Sequence, residues 1–138
     1  MESKLIALYI EDAKRWFDVA GLSMENKLND KALYAMEMSL EMVLKAILLS
    51  IGTEFPKVHN VSELLRNELR NKKIDEKMRD KIYLWLDTFD YLLEFKNASG
   101  YRAQSSMTDA DFRDKANKKF DTVKDAINGC ESVIKKLA

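Results

Sequence analysis

Very little in this sequence breaks a helix. It has one proline, Pro56, and four glycines in 138 residues, and that scarcity favours an all-α protein. It also has one cysteine, Cys130, and one histidine, His59. A lone cysteine excludes a disulfide framework within the chain and points to a reducing, cytoplasmic setting. Two such residues do not make a zinc site, and no Glu-x-x-His pair supplies a ferritin-like di-metal centre. There is no Gly-x-Ser-x-Gly elbow and no glycine-rich phosphate loop before a helix. Cations and anions balance at 23 each. No overall charge draws the chain to DNA, RNA or anionic lipid, which leaves only a local patch for such a role. No basic segment followed by an apolar one opens the chain, so no secretory signal is expected. No metal and no cofactor is expected, DNA is not an expected partner, and no residue is assigned a catalytic role.

The chain is organised around Lys31 to Ile51, KALYAMEMSLEMVLKAILLSI. Leu33, Met36, Leu40, Val43, Leu44, Ile47 and Leu48 form a broad stripe, and Ala35, Met38, Met42 and Leu49 extend it round the cylinder. A helix apolar on most sides is buried on most sides. A run of ~20 apolar residues also suits a membrane span, but charges in mid-segment argue against that reading. Those charges, Glu37, Glu41 and Lys45, follow one another by four and share a face with Tyr34. The line reads either as a polar seam facing a ligand cleft or a partner, or as the narrow solvent-exposed edge of a core helix.

The flanking segments read as helices that cover this one. Ile6, Ile10, Ala13, Phe17, Ala20 and Met24 make one buried face between Lys4 and Lys27. Asn29 and Asp30 are expected to form a turn and cap the central helix, and Gly52 to end it. Asn60 is the expected N-cap of a short helix, Val61 to Arg70. A fourth helix is expected from Asp75 to Asn97, striped by Met78, Ile82, Trp85, Leu86, Phe89 and Leu93. Its many aromatic residues make it a candidate dimer contact. After a polar loop from Ala98 to Met107, Thr108 and Asp111 form a capping box for a final helix. Ala116, Phe120, Val123, Ile127, Cys130, Ile134 and Leu137 mark its core-facing seam. The expected architecture is therefore an all-α, up-and-down four-helix bundle with one additional short helix, in a single domain over residues 1–138. Two loops are left to carry chemistry. Lys57 and His59 lie in one, and Tyr101, Arg102, Gln104, Ser105 and Ser106 in the other. Brought to one end of the bundle, Lys57, His59 and Arg102 would suit a phosphate, and Tyr101 a base. The alternative is a capping His59 and a solvated Arg102.

Several of these features occur together in a known order. Glu41-Met42-Val43-Leu44-Lys45-Ala46 is a Glu-x-x-Leu-Lys-Ala run. It is followed by Gly52, a short loop, His59 and the pair Leu64-Leu65. With the opening AKRWFDVA and the late GYRAQSSMTDADF, the chain resembles the HEPN family, in its short stand-alone prokaryotic type. HEPN names a nucleotide-binding domain of higher eukaryotes and prokaryotes. The resemblance implies a helical bundle, commonly a homodimer, that binds a nucleotide or RNA. It also implies a minimal nucleotidyltransferase as partner in a toxin–antitoxin pair. Active members resemble metal-independent ribonucleases with an Arg followed, after four to six residues, by a His. Arg102 stands at the Arg position, but the His positions hold Met107, Thr108 and Asp109. Without an imidazole beside it, Arg102 is left as a phosphate contact lacking a neutral-pH acid or base. The expectation is thus a non-catalytic module. An unconventional ribonuclease using Arg102 with His59, and a dimeric scaffold without chemistry, are the alternatives.

Overall fold

The computed structural model describes residues 2–55 and 60–137. Among them are the helices α1 (Glu2–Glu25), α2 (Asn29–Ser50), α3 (Val61–Arg70), α4 (Glu76–Glu94), α5 (Lys96–Gly100) and α6 (Asp109–Leu137). A 3₁₀ turn at Arg102–Gln104 links the last two, and there is no strand among the described residues. The all-α expectation holds, and α1, α2, α4 and α6 form the bundle. No helix among the described residues is long and apolar enough to cross a membrane.

The central position of α2 follows from its composition. Leu33, Met36, Leu40, Val43, Leu44, Ile47 and Leu48 are all fully buried, and α2 packs against each of the other five helices. One polar group is used inside this contact. The buried Ser39 hydroxyl donates to the carbonyl of Ala13 on α1 at 2.8 Å, so it keeps a partner after leaving water. On α6 the seam residues Ala116, Val123, Ile127 and Cys130 are buried, and Phe120, Ile134 and Leu137 pack at its margin.

Helix ends encoded by local side-chain chemistry form as expected. Gly52 takes φ +78°. The Thr53 amide donates to the Leu48 carbonyl and the Gly52 amide to Leu49, each at 3.0 Å, a Schellman ending that satisfies carbonyls the helix leaves unpaired. The Asn60 side chain accepts from the Ser62 amide at 2.9 Å. Thr108 and Asp111 each accept from the other's backbone amide, at 3.1 and 2.9 Å. The amide of Thr108, followed by its hydroxyl, holds the Asp111 carboxyl below the usual range.

Two boundaries differ from expectation. Asn29 and Asp30 do not cap α2 from a turn; they are its first two residues and are buried. The residue that ends the preceding run is Lys27, at φ +59°, so the chain reverses two residues earlier. The expected fourth helix also does not run to Asn97. It stops at Phe95, whose amide donates to Leu92 three residues back rather than four. The chain then restarts as α5, where Ser99 closes the turn by donating its hydroxyl to the Phe95 carbonyl at 2.7 Å. The first three residues of the expected loop, Ala98 to Gly100, are therefore helical.

The aromatic residues of α4 are mostly covered within the chain. Trp85 and Phe89 are buried. Arg66 lies over the Tyr83 ring, and lysines of α6 lie over Tyr91 and Phe95. The exposed large apolar side chains are Leu5, Leu8, Val19 and Leu22 on α1, Leu28 before α2, Leu84 on α4, and Tyr101.

Candidate functional site

The break at Phe95 directs two things: where Lys96 points, and where Tyr101 and Arg102 emerge. Lys96 turns down onto α2. Its ammonium lies 3.5 Å from Glu37 and 3.8 Å from Glu41, and 5.8 Å from the centre of the Tyr34 ring. Tyr34 in turn meets Trp16 of α1 edge to face at 6.3 Å. Farther along, Lys45 pairs with Glu41 at 3.1 Å and lies over the ring of Phe55. The polar line of α2 is thus a seam roofed by α5, not a solvent-exposed edge. Glu37 is 0% exposed, while Glu41 and Lys45 keep only 19% of their side-chain surface.

Electrostatically the seam is under-compensated. Among the described residues neither Glu37 oxygen has a hydrogen-bond partner, and a buried carboxylate in that state is costly. Burial above all, with Glu41 adding to it, raises the Glu37 carboxyl to about 7, against the opposing pull of Lys96. Burial also works against the charge on Lys96, but Glu37 and Glu41 overcome it, so the ammonium is held more firmly than usual.

At the end of the bundle, α5 runs into the exposed Tyr101, 66% accessible, and the 3₁₀ turn that carries Arg102. The turn is closed by the Gln104 amide on the Tyr101 carbonyl and the Ser105 amide on that of Arg102, each at 3.0 Å. Half-buried Met107 pins the loop back to the core. On one side lies an open groove of about 680 Å³ lined by Leu28, Asp30, Lys31, Tyr101, Arg102 and Met107. On the other, a polar groove of about 520 Å³ is lined by Asn97, Tyr101, Gln104, Ser105 and Ser106. Lys31 bridges the first groove's walls, reaching the Ser99 carbonyl at 3.3 Å and Asp30 at 3.1 Å. Among the described residues no carboxylate lies within 4.0 Å of the Arg102 guanidinium, although other basic groups have such partners. An unpaired guanidinium beside an accessible ring suits a phosphate next to a base.

The structure therefore brings Tyr101 and Arg102 together and adds Lys31, which sequence reasoning treated only as the start of the central helix. Tyr34, Glu37, Glu41 and Lys45 form a separate, internal cluster. Lys57 and His59 lie outside the described residues. The positions expected of a histidine are occupied by a core anchor, Met107, a helix cap, Thr108, and Asp109, whose carboxylate accepts from Asn29 at 3.5 Å. Among the described residues no three His, Cys, Asp or Glu side chains gather as a metal would require. Cys130 is buried, and burial lifts its thiol to about 11.

No curated protein matches the chain by sequence. The HEPN domain model, by contrast, matches residues 6–138, essentially the whole chain. On the strength of that full-length match, the protein belongs to the HEPN domain family.

Proposed function

We propose that this protein is a HEPN-type module that binds a nucleotide or an RNA end in the groove between Arg102, Tyr101 and Lys31, without catalysing cleavage. Family membership supports a nucleotide- or RNA-binding role in general. The observation that carries the finer reading is the exposed pair Tyr101–Arg102, which a closed turn presents to the same groove as Lys31. Arg102 and Lys31 contact phosphate, and Tyr101 stacks on the base. The non-catalytic part rests on the sequence, which offers no histidine between Met107 and Asp109. In this reading the chain acts as one domain in the cytoplasm, pairs with itself, and has a minimal nucleotidyltransferase as its toxin–antitoxin partner.

Binding is tested with fluorescent AMP and a short single-stranded RNA. Arg102→Ala is expected to weaken both by about 10-fold or more, the worth of a charge-assisted contact. Tyr101→Ala is expected to cost a similar factor through lost stacking. Unchanged affinity in both variants overturns this site. RNA cleavage by the purified wild type, lost in Arg102→Ala and in His59→Ala, would replace it with the ribonuclease reading.

A further inference from the structure

Away from this groove, α6 carries three lysines that lie over aromatic rings and, among the described residues, make no ion pair. Lys115 lies over the ring of Phe95, with its ammonium 4.8 Å from the centroid. Lys119 and Lys118 lie over Tyr91 at 4.7 and 5.8 Å. Among the described residues none of the three has a carboxylate oxygen within 4.0 Å, whereas Lys14, Lys31, Lys45, Lys96 and Arg66 all do. Two nearby acids on the same helix have other partners. Asp111 caps the helix at Thr108, although it also interacts with Lys115 one turn on, and Asp114 lies beside Arg113. Asp121 follows Lys118 by three residues and lies beyond ion-pair distance of it.

We propose that this lysine ridge between α4 and α6 is a second binding surface, one that tracks the phosphates of a single RNA strand. Rings beneath the lysine stems fix the ammoniums in place, so less side-chain freedom is lost when an anion arrives. Lys115 and Lys119 stand one helical turn apart, ~6 Å along the axis, close to the separation of neighbouring phosphates on an extended strand. The ridge also has a continuation. Phe95 abuts α5, whose Asn97 lines the polar groove with Tyr101, Gln104, Ser105 and Ser106. A strand laid on the ridge therefore runs toward Tyr101. A row of cations free of ion pairs supplies the backbone-tracking half of a sequence-tolerant single-strand site, and the exposed Tyr101 beyond it supplies a stacking face. The chain's zero net charge makes this a local property that its composition conceals.

The inference extends the groove reading but is tested apart from it. The probes are AMP, a ten-nucleotide single-stranded RNA and poly-L-glutamate of matched charge, on the full chain. The variants are K115Q/K118Q/K119Q and Arg102→Ala, with helicity and melting temperature as folding controls. The triple variant is expected to lose at least 10-fold in RNA affinity and about 2 in the slope of log affinity against log salt. Its AMP affinity should stay as in the wild type. RNA affinity and salt slope unchanged by the triple substitution overturn the ridge, whatever Arg102→Ala does. RNA binding lost in the triple variant, with both RNA and AMP binding untouched by Arg102→Ala and Tyr101→Ala, supports the ridge and overturns the groove. A wild-type preference for poly-L-glutamate over RNA, abolished in the triple variant, overturns the RNA assignment in favour of an acidic protein surface.

Discussion

Trp85→Ala is expected to destabilise the bundle by about 3–5 kcal/mol, the usual cost of emptying a large aromatic site. Trp85 is fully buried on α4 and faces α6, where Gly129 makes room for it. A Cβ at position 129 would lie 3.3 Å from the indole Cζ2, so the two helices approach closely around the ring. The indole N–H donates to Asp125 at 3.2 Å, which satisfies the one polar atom the burial would otherwise strand. Truncation removes the packing and that bond together, and two helices held apart by other side chains cannot collapse into the space. Since domains of this kind retain only ~5–15 kcal/mol in total, the loss is a large share. Urea unfolding followed by helicity reads it as a lower midpoint at unchanged slope. A shift below about 1 kcal/mol would mean that the α4–α6 contact does not depend on the indole.

The second large effect is a dependence of stability on pH set by Glu37. An unfolded glutamate releases its proton near 4.5, whereas folded Glu37 holds it to about 7. Between those values the native state binds the extra proton, so raising the pH favours unfolding. Below about 4.5 the group is protonated in both states and contributes no slope. Above about 7 the whole penalty is present, up to about 3 kcal/mol at ~1.4 kcal/mol per pH unit. Glu37→Gln keeps the shape and removes the titration. The difference in stability between Glu37→Gln and wild type should therefore grow in favour of the variant from pH 5 to pH 7.5, less whatever attraction to Lys96 is lost. Parallel stability curves for the two proteins across that range would show that Glu37 reaches water or stays ionised.

These two cases also mark what was legible in advance. The core stripe of α2, the seam of α6, the Gly52 ending and the Thr108–Asp111 box were readable because each depends on residues within one or two turns. The start of α2 was misplaced because Asn29 and Asp30 are good caps, yet the reversal is made by the backbone of Lys27. The stop at Phe95 carries no glycine or proline to announce it, and the burial of Glu37 follows from that stop. Read as an unbroken helix to Asn97, the segment offers no roof for the seam. The lysines of the proposed groove and ridge, Lys31, Lys115, Lys118 and Lys119, do not stand out in the sequence for a different reason. A lysine's role depends on which carboxylates fold up beside it, and the sequence shows all the candidates at once.

The sealed position of Cys130 gives the molecule an internal gauge of how far it opens. A thiolate is the species that alkylating reagents attack, and a thiol buried on α6 and lifted to about 11 supplies almost none near neutrality. With no second cysteine in the sequence to blur the signal, modification by iodoacetamide waits for the helices to part, and its rate reports how much of the protein is open at equilibrium.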